Sequence, residues 1–363
     1  MSAAVQLIKK LYNKRQTEKK RKSIINSNHS VFLLNSNIMD FRKQGFSLVE
    51  SKLYSLIKGG KNNYKDYITT WESYQPRLGN NKYFCISDDK YLFSLVFQNY
   101  IRTPKTICLI QKGKIISLGK DVYDIDSLIA WIYRNNGCVI KDRSGSDGFD
   151  VFVISIENNN ILYRNKILTA SDLANIIEKL PNGIIQERVF QGEYASKLYS
   201  GSVNTLRIVS IRKVGEIKHE IVGAVQRIGT NASAPVDNFR QGGLCALIDL
   251  ESGVLGKASG GVLLDSNGNR ILYSKHPDSG GQIEGVVVPN WKEIKKKIIE
   301  ITEQLPFFEY IAWDIVVQDN GISVIETNMK SDLAIFQIHG GLRHSKLGEA
   351  YREHGWLVDE KKL

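Results

Sequence analysis

A chain of 363 residues, 42% hydrophobic and 24% charged, has the balance of a globular protein that can bury one large core or two to three smaller ones. No stretch approaches the roughly 18–20 apolar residues of a membrane span, and the first residues lack the apolar centre of a signal peptide, so the expected location is the cytoplasm. Cys85, Cys108, Cys138 and Cys245 are scattered without metal spacing, which argues against a disulfide framework or a zinc site and fits a reducing compartment.

The net charge of +11 is concentrated at the start, where residues 1–22 hold eight Lys/Arg against Glu18 alone. Ala4, Leu7, Ile8 and Leu11 follow the spacing of one helical face, so a basic amphipathic helix is expected there. Such a helix fits peripheral contact with an anionic membrane at its inner face, and a merely solvated terminal helix is the alternative. No helix-turn-helix, zinc-finger or RNP-like pattern accompanies the charge, so nucleic acid is not an expected partner.

Residues 23–105 read as helical pieces with polar joints. "FSLVESKLYSLIKGG" (46–60) is a helix closed by Gly59-Gly60, and "DDKYLFSLVFQNY" (88–100) is another. Beyond Pro104 come the strand "TICLI" (106–110), a hairpin through Lys112-Gly113 into "KIISL", and the helix "DIDSLIAWIYRNNG" (124–137). "CVIK" (138–141) precedes the loop "DRSGSDG" (142–148), the strand "FDVFVISI" (149–156) and its return "ILYRNKIL". "SDLANIIEKL" (171–180) is a helix capped by Ser171, and "GIIQERVF" (183–190) is a strand. Strands "TLRIVSIRK" (205–213) and "IKHEIVGAVQRIG" (217–229) follow, then a long Gly-rich loop around 237–260 and a helix at 291–304. A hairpin at 313–328 and a final helical stretch complete an α+β chain. Its antiparallel sheets carry helices outside, in lobes of residues 106–190 and 191–345 before a tail at 346–363.

The hairpin "WDIVVQDNGISVIETN" (313–328) raises a chemical question. Asp319-Asn320-Gly321 suits a three-residue loop with Gly321 in the left-handed region. That register pairs Gln318 with Ile322 and sets Asp314 opposite Glu326, with Asn328 on the same face. Like charges directly opposite are destabilising, more so in a covered sheet, and a divalent cation would resolve the conflict. A few oxygen ligands, with places left for water and phosphate, suit magnesium better than zinc or a closed calcium cage. A surface hairpin with solvated acids, or a two-residue loop that splits the faces, is the alternative reading.

Lys141 at a strand end, followed by Ser144-Gly145-Ser146 and Gly148, has the makings of a phosphate cradle, since convergent backbone N–H groups and a point charge both attract anionic oxygens. The P-loop order is absent, and a strand rather than a helix follows, which makes a β-hairpin flap.

Taken together, the Lys-plus-glycine flap, the strand "IIQERVF" and the distal Asp…Glu-x-Asn set resemble the ATP-grasp superfamily, in which two α+β lobes hold ATP between them. "VNTLRI", "DNFRQGG", "HPDSGGQIEGVVVPNW" and "WDIVV…IETN" look more closely like the sugar-transfer-associated ATP-grasp family, whose genes tend to lie among those for surface-polysaccharide synthesis. The resemblance covers about residues 85–345. It implies that Lys90 and Lys141 contact the α- and β-phosphates and that Gly145, Ser146 and Gly148 close over the phosphates. Gln186, Glu187 and Val189 fall where the family's adenine hinge uses backbone groups, and Glu193 is a ribose candidate by position. Asp314, Glu326 and Asn328 match the magnesium set. Arg207, Arg227 and Asn238 fall in the order found in carboxylate–amine ligases such as the ribosomal-protein glutamate ligase, where arginines stabilise the transferring group. Arg240, Gly242, Gly243, His276 and Asp278 are then substrate candidates. The implied chemistry is ATP-dependent joining of a carboxylate, such as a glycan uronic acid, to an amine through an acyl phosphate. A phosphotransferase on a sugar and a non-catalytic nucleotide-binding scaffold are the alternatives. The sequence departs from many relatives at Asp142-Arg143, Phe149 and Lys330-Ser331.

Overall fold

The computed structural model describes residues 3–26, 41–54, 63–79, 82–145, 150–261 and 270–358. The chain divides into two compact units, Asn80–Met329 on the one hand and Met1–Gly79 with Lys330–Leu363 on the other.

The larger unit is α+β. Its first sheet comprises β1 (Thr106–Gln111), β2 (Lys114–Ser117), β3 (Cys138–Asp142), β4 (Val151–Glu157), β5 (Asn160–Tyr163), β6 (Lys166–Ile167) and β7 (Asn182–Glu187). The strands lie in the order β2-β1-β7-β3-β4-β5-β6, all neighbours antiparallel. Helices Ile125–Asn135 and Ala170–Glu178 cover one face, where Leu128, Trp131, Ile132, Leu173 and Ile177 meet Cys108, Ile110, Cys138, Ile140 and Ile185. Strand alternation turns Val139, Lys141, Ile184 and Gln186 to the opposite face. Both helices begin on capping boxes, Asp124 with Ser127 and Thr169 with Asp172. The second cap is therefore Thr169 and not Ser171, because Asp172 can answer the backbone N–H of Thr169 three residues back.

The second sheet comprises β8 (Thr205–Arg212), β9 (His219–Ile228), β10 (Leu244–Ile248), β11 (Leu255–Gly260), β12 (Tyr310–Gln318) and β13 (Gly321–Asn328), in the order β11-β10-β9-β8-β12-β13. Helix Trp291–Gln304 buries Trp291, Ile294, Ile298 and Ile301 in the core on one face of this sheet. Helix Lys90–Phe97 adds Phe93 and Phe97 to the same core, and Phe97 meets Trp313 edge-on at 5.6 Å between ring centres. The Gly-rich loop expected around 237–260 is largely the β10–β11 hairpin. Its glycines sit at the turn and the strand ends, while Leu244, Ala246, Ile248, Leu255 and Ala258 join the core. The short helix Glu193–Leu198 has no counterpart in the expected elements.

The smaller unit is helical, with Ala3–Asn26, Leu48–Leu53, Thr70–Ser73, Gln75–Gly79, Ala334–Gln337 and Lys346–Glu353. The helix expected over 46–60 is present as Leu48–Leu53, and its Gly59-Gly60 end lies outside the described residues. The helix expected over 1–22 is present as Ala3–Asn26, while the side chains of its apolar face, Ala4 to Leu11, lie outside the described ones. At the centre of the unit Glu72 and Arg343 form a fully buried pair, and Tyr54 stacks on Tyr67 at 4.8 Å. Gln337 ties Ile68 and Tyr54 together from a distant part of the chain. Among the described residues no helix is long and apolar enough to cross a membrane.

Candidate active site

The β12–β13 hairpin reaches the expected pairing by a different route. Gln318 pairs with Gly321, so the loop is the two residues Asp319-Asn320, and a bulge at Ile325 on β13 adds the residue that restores Asp314 opposite Glu326. Without the bulge, a two-residue loop would have put the two carboxylates on opposite faces. Asn328 stands opposite Ala312, on the Glu326 side, while Thr327 points the other way and bonds Ser87 at 2.8 Å.

Asp314 also faces β8, directly opposite Arg207. Arg207 donates from Nε to Asp314 Oδ1 and from Nη2 to Oδ2 at 2.8 Å, and Arg227 on β9 donates from Nη1 to Oδ2 at 3.1 Å. Arg227 Nη2 continues to Asp237 at 2.8 Å. Asp237 Oδ2 accepts from the backbone N–H of Thr205 at 2.8 Å and from its hydroxyl at 2.5 Å. The result is an alternating ladder, Arg207–Asp314–Arg227–Asp237, almost wholly buried. Burial works against the charge on both arginines, yet Asp314 holds Arg207, and Asp237 with Asp314 holds Arg227, above the usual guanidinium range. The sequence reading missed Asp237, although it is the residue before the singled-out Asn238.

Glu326 and Asn328, half-buried, have no hydrogen-bond or ion-pair partner among the described residues. Two carboxylates and an amide offer oxygen ligands only, which suits a hard divalent cation with open positions. Among the described residues no group of three or more His, Cys, Asp and Glu gathers as a competing metal site.

The first sheet supplies cations to the same region. Burial pushes the Lys141 ammonium down to about 8, Lys90 adds repulsion, and Glu326 and Asp314 pull the other way, so all four groups share one field. Lys90 starts its helix behind the N-cap Asp89 and donates from Nζ to Gly145 O at 2.6 Å, while Asp89 also holds Arg143 at 2.7 Å. The departure Asp142-Arg143 thus serves the loop itself: Asp142 accepts from Ser144 N at 2.7 Å. A side chain at Gly145 would come within 2.8 Å of Asp142 Cβ, which explains the glycine. Ser146, Gly148 and Phe149 lie outside the described residues.

At the end of β7, Gln186 is 1% exposed, and its Oε1 is a buried acceptor with no hydrogen-bond partner among the described residues. It shares the Lys141 face, so an amino-bearing purine is one group whose donor it could accept. Glu187 follows on β7 with its N–H bonded to Lys105 O, and Val189 is buried. Glu193 stands apart from the ladder: it pairs with Lys197 at 2.8 Å on the short helix and lines a cavity of about 700 Å³ with Val317, Gln318 and Asp319.

The loop after β9 carries the remaining residues. Asn238 Oδ1 accepts from Arg240 N, and Gly243 N donates to Asn238 O. Gly242 has a φ of +104° and Gly243 passes so close to Asp237 O that a Cβ would sit 2.6 Å away; both glycines serve a tight closure rather than freedom of movement. His276 Nε2 lies 2.7 Å from Gly229 O, and its Nδ1 lies 3.2 Å from the N–H groups of Asp278 and Ser279, an arrangement that suits Nε2 as donor and Nδ1 as acceptor. Asp278 Oδ2 accepts from Asn231 N at 2.8 Å, and Tyr199 stacks on His276 at 4.8 Å while its hydroxyl donates to Asn231 Oδ1. His276 and Asp278 are thus occupied in holding the loop.

No curated protein matches the chain. Among solved structures it is similar to the ATP-grasp ligase PsnB complexed with precursor peptide PsnA2 and AMPPNP, at 11% identity over 75% of this chain and 59% of that one, with a TM-score of 0.38. D-Alanine-D-alanine ligase from Helicobacter pylori is similar at 12% identity over 75% and 62%, with a TM-score of 0.41. The Chryseobacterium gregarium RiPP-associated ATP-grasp ligase, in complex with ADP and a leader and core peptide, is similar at 11% identity over 77% and 63%, with a TM-score of 0.39. This chain spans 59% to 63% of the length of those three. The model of the sugar-transfer-associated ATP-grasp family matches residues 70–348, more than three-quarters of the sequence, and the chain belongs to that family.

Proposed function

We propose that the protein is an ADP-forming ligase that binds ATP and magnesium and joins a carboxylate, a glycan uronic acid or an amino acid, to an amine through an acyl phosphate. The observation that carries this reading is the convergence of Arg207, Arg227, Asp314, Glu326, Lys90 and Lys141 on one region between the two sheets. Asp314, Glu326 and Asn328 would hold the magnesium, which supplies charge neutralisation as the γ-phosphoryl group moves to the acid. Lys90 and Lys141 bind phosphate oxygens, and Gln186 accepts from the base. Arg207 and Arg227 face the transferring group and then the tetrahedral oxyanion that forms when the amine attacks the acyl carbon and that collapses to the amide by releasing phosphate. With Asp278 bonded to the loop backbone, the amine's proton leaves to solvent or to the departing phosphate.

Titration calorimetry of AMPPNP with magnesium tests the nucleotide site. We expect binding that needs the metal and that weakens about tenfold or more in Glu326→Gln, because one ligand of the cation is lost. A well-folded wild type that binds no nucleotide would overturn the reading, and wild-type binding licenses a screen of acid–amine pairs for ADP release.

The basic helix extends the proposal to location. Lys14, Arg15, Lys19, Lys20 and Lys22 are exposed on Ala3–Asn26, with Glu18 as the one acid among them. Each contributes about 1 kcal/mol near an anionic bilayer, enough together for peripheral contact at low salt. The full chain should co-sediment with phosphatidylserine vesicles and lose that on removal of residues 1–22; undiminished binding by the shortened chain would rule the contact out.

A further inference from the structure

Arg207 and Arg227 meet at one carboxylate. Arg207 grips both oxygens of Asp314. Arg227 shares Asp314 through Nη1 and has a second anchor, Asp237, through Nη2. That anchor cannot drift. Asp237 Oδ2 is taken by the N–H and the hydroxyl of Thr205, the first residue of β8, which leaves Oδ1 for the guanidinium. The Gly242-Gly243 closure adds to this, because Gly243 packs against the Asp237 carbonyl and fixes the backbone that carries the carboxylate. A guanidinium has five N–H groups. Two of Arg227's are spoken for, and the others have no partner among the described residues.

We propose that Asp237 is the positioning residue of Arg227: it grips one edge of the guanidinium independently of Asp314 and presents the remaining donors, already oriented, to a phosphoryl oxygen in the active site. This rests on the ligase reading above. The physical gain is preorganisation, since a side chain already fixed need not be ordered when the anion arrives. A merely structural ion pair would show instead as lost stability with every ligand weakened alike.

The test uses the full chain and the variants Asp237→Asn and Thr205→Val, the second leaving the charge of Asp237 intact but removing one of its anchors. Calorimetry measures ADP with magnesium first, then inorganic phosphate in the presence of saturating ADP and magnesium. Arginine guanidinium N–H signals in 15N spectra, Nη as well as Nε, are followed in parallel. We expect Asp237→Asn to weaken phosphate about tenfold while ADP affinity stays within about twofold, with Thr205→Val intermediate. The Arg227 Nη–H signals should be narrow in the wild type and broaden in Asp237→Asn, with the Arg207 Nε–H signal retained. Unchanged phosphate affinity, an equal loss of ADP affinity, or an Arg227 signal indifferent to the substitution each overturns the proposal. If the wild type binds no ADP, the nucleotide reading fails, and the Arg227 signal alone still decides whether Asp237 positions it.

Discussion

Replacing Arg343 by methionine should lower the unfolding free energy of the protein's smaller unit by about 3–5 kcal/mol, the usual penalty for leaving one partner of a buried ion pair alone. The pair is 0% and 1% exposed, and Arg343 Nη2 reaches both oxygens of Glu72 at 2.7 and 2.8 Å. Each Glu72 oxygen accepts a second bond, from Val358 N at 2.7 Å and from Thr69 N at 2.8 Å. Methionine would remove the positive charge and leave this carboxylate among backbone donors too few to hold it. Glu72 also completes the capping box on Thr69, so Glu72→Leu should lose a further increment of about 1 kcal/mol from the helix start. The double variant Glu72→Leu/Arg343→Met should cost less than either charge-orphaning substitution, because neither buried charge is then left alone. Urea unfolding of the two single variants and the double one checks this. Small additive losses, each below about 1 kcal/mol, would mean that the pair contributes nothing beyond packing.

The partnership of Glu72 with Arg343 shows where sequence reading stops. The two residues lie 271 apart, and nothing local to either marks a fully buried charge. The helix Trp291–Gln304 lies at the other extreme: its four core residues recur at helical spacing, and its bounds match the expected 291–304. The hairpin lies between the two cases. Counting from a three-residue loop sets Asp314 opposite Glu326, and the pairing stands only because the bulge at Ile325 adds the residue that the shorter loop lacks; Gly321 suits either turn, and the bulge depends on strand packing. Arg207 and Arg227, which both donate to Asp314, were visible as strand arginines. Asp237 was not, because a carboxylate in a loop becomes significant only when the chain path brings it to Thr205. Lys330 and Ser331, puzzling as departures after Asn328, acquire a reason in the smaller unit: Lys330 lies over the Tyr74 ring at 5.1 Å and Ser331 is fully buried.

The same unit should become less stable as pH rises from about 4.5 to about 7, with Glu50 as the source. Burial, above all, pushes this carboxyl up to about 7; the Thr70 hydroxyl bond and Lys330 pull it down, and Asp332 pushes it further up. Ser47 N donates to Thr70 Oγ1 at 2.7 Å, which directs the hydroxyl proton to Glu50 Oε2. Tyr54 beside it is held well above its usual range, first by burial and then by Glu50 and Asp332, so it stays neutral and adds no negative charge of its own. Between the unfolded value of 4.5 and the folded value of about 7, the fold keeps a proton that the unfolded chain has released. Each added pH increment in that window therefore favours unfolding. The contribution is complete below pH 4.5 and gone above about 7, and amounts to roughly 3 kcal/mol across the window. Glutamine has the shape of the protonated acid and keeps an oxygen for the Thr70 hydroxyl, so Glu50→Gln should match the wild type near pH 5 and exceed it by up to about 3 kcal/mol at pH 8. The difference between the two stability curves isolates this one group from all others that titrate. A difference that stays flat from pH 5 to pH 8 would show that Glu50 is ionised in the fold throughout, with Lys330 and Thr70 outweighing its burial.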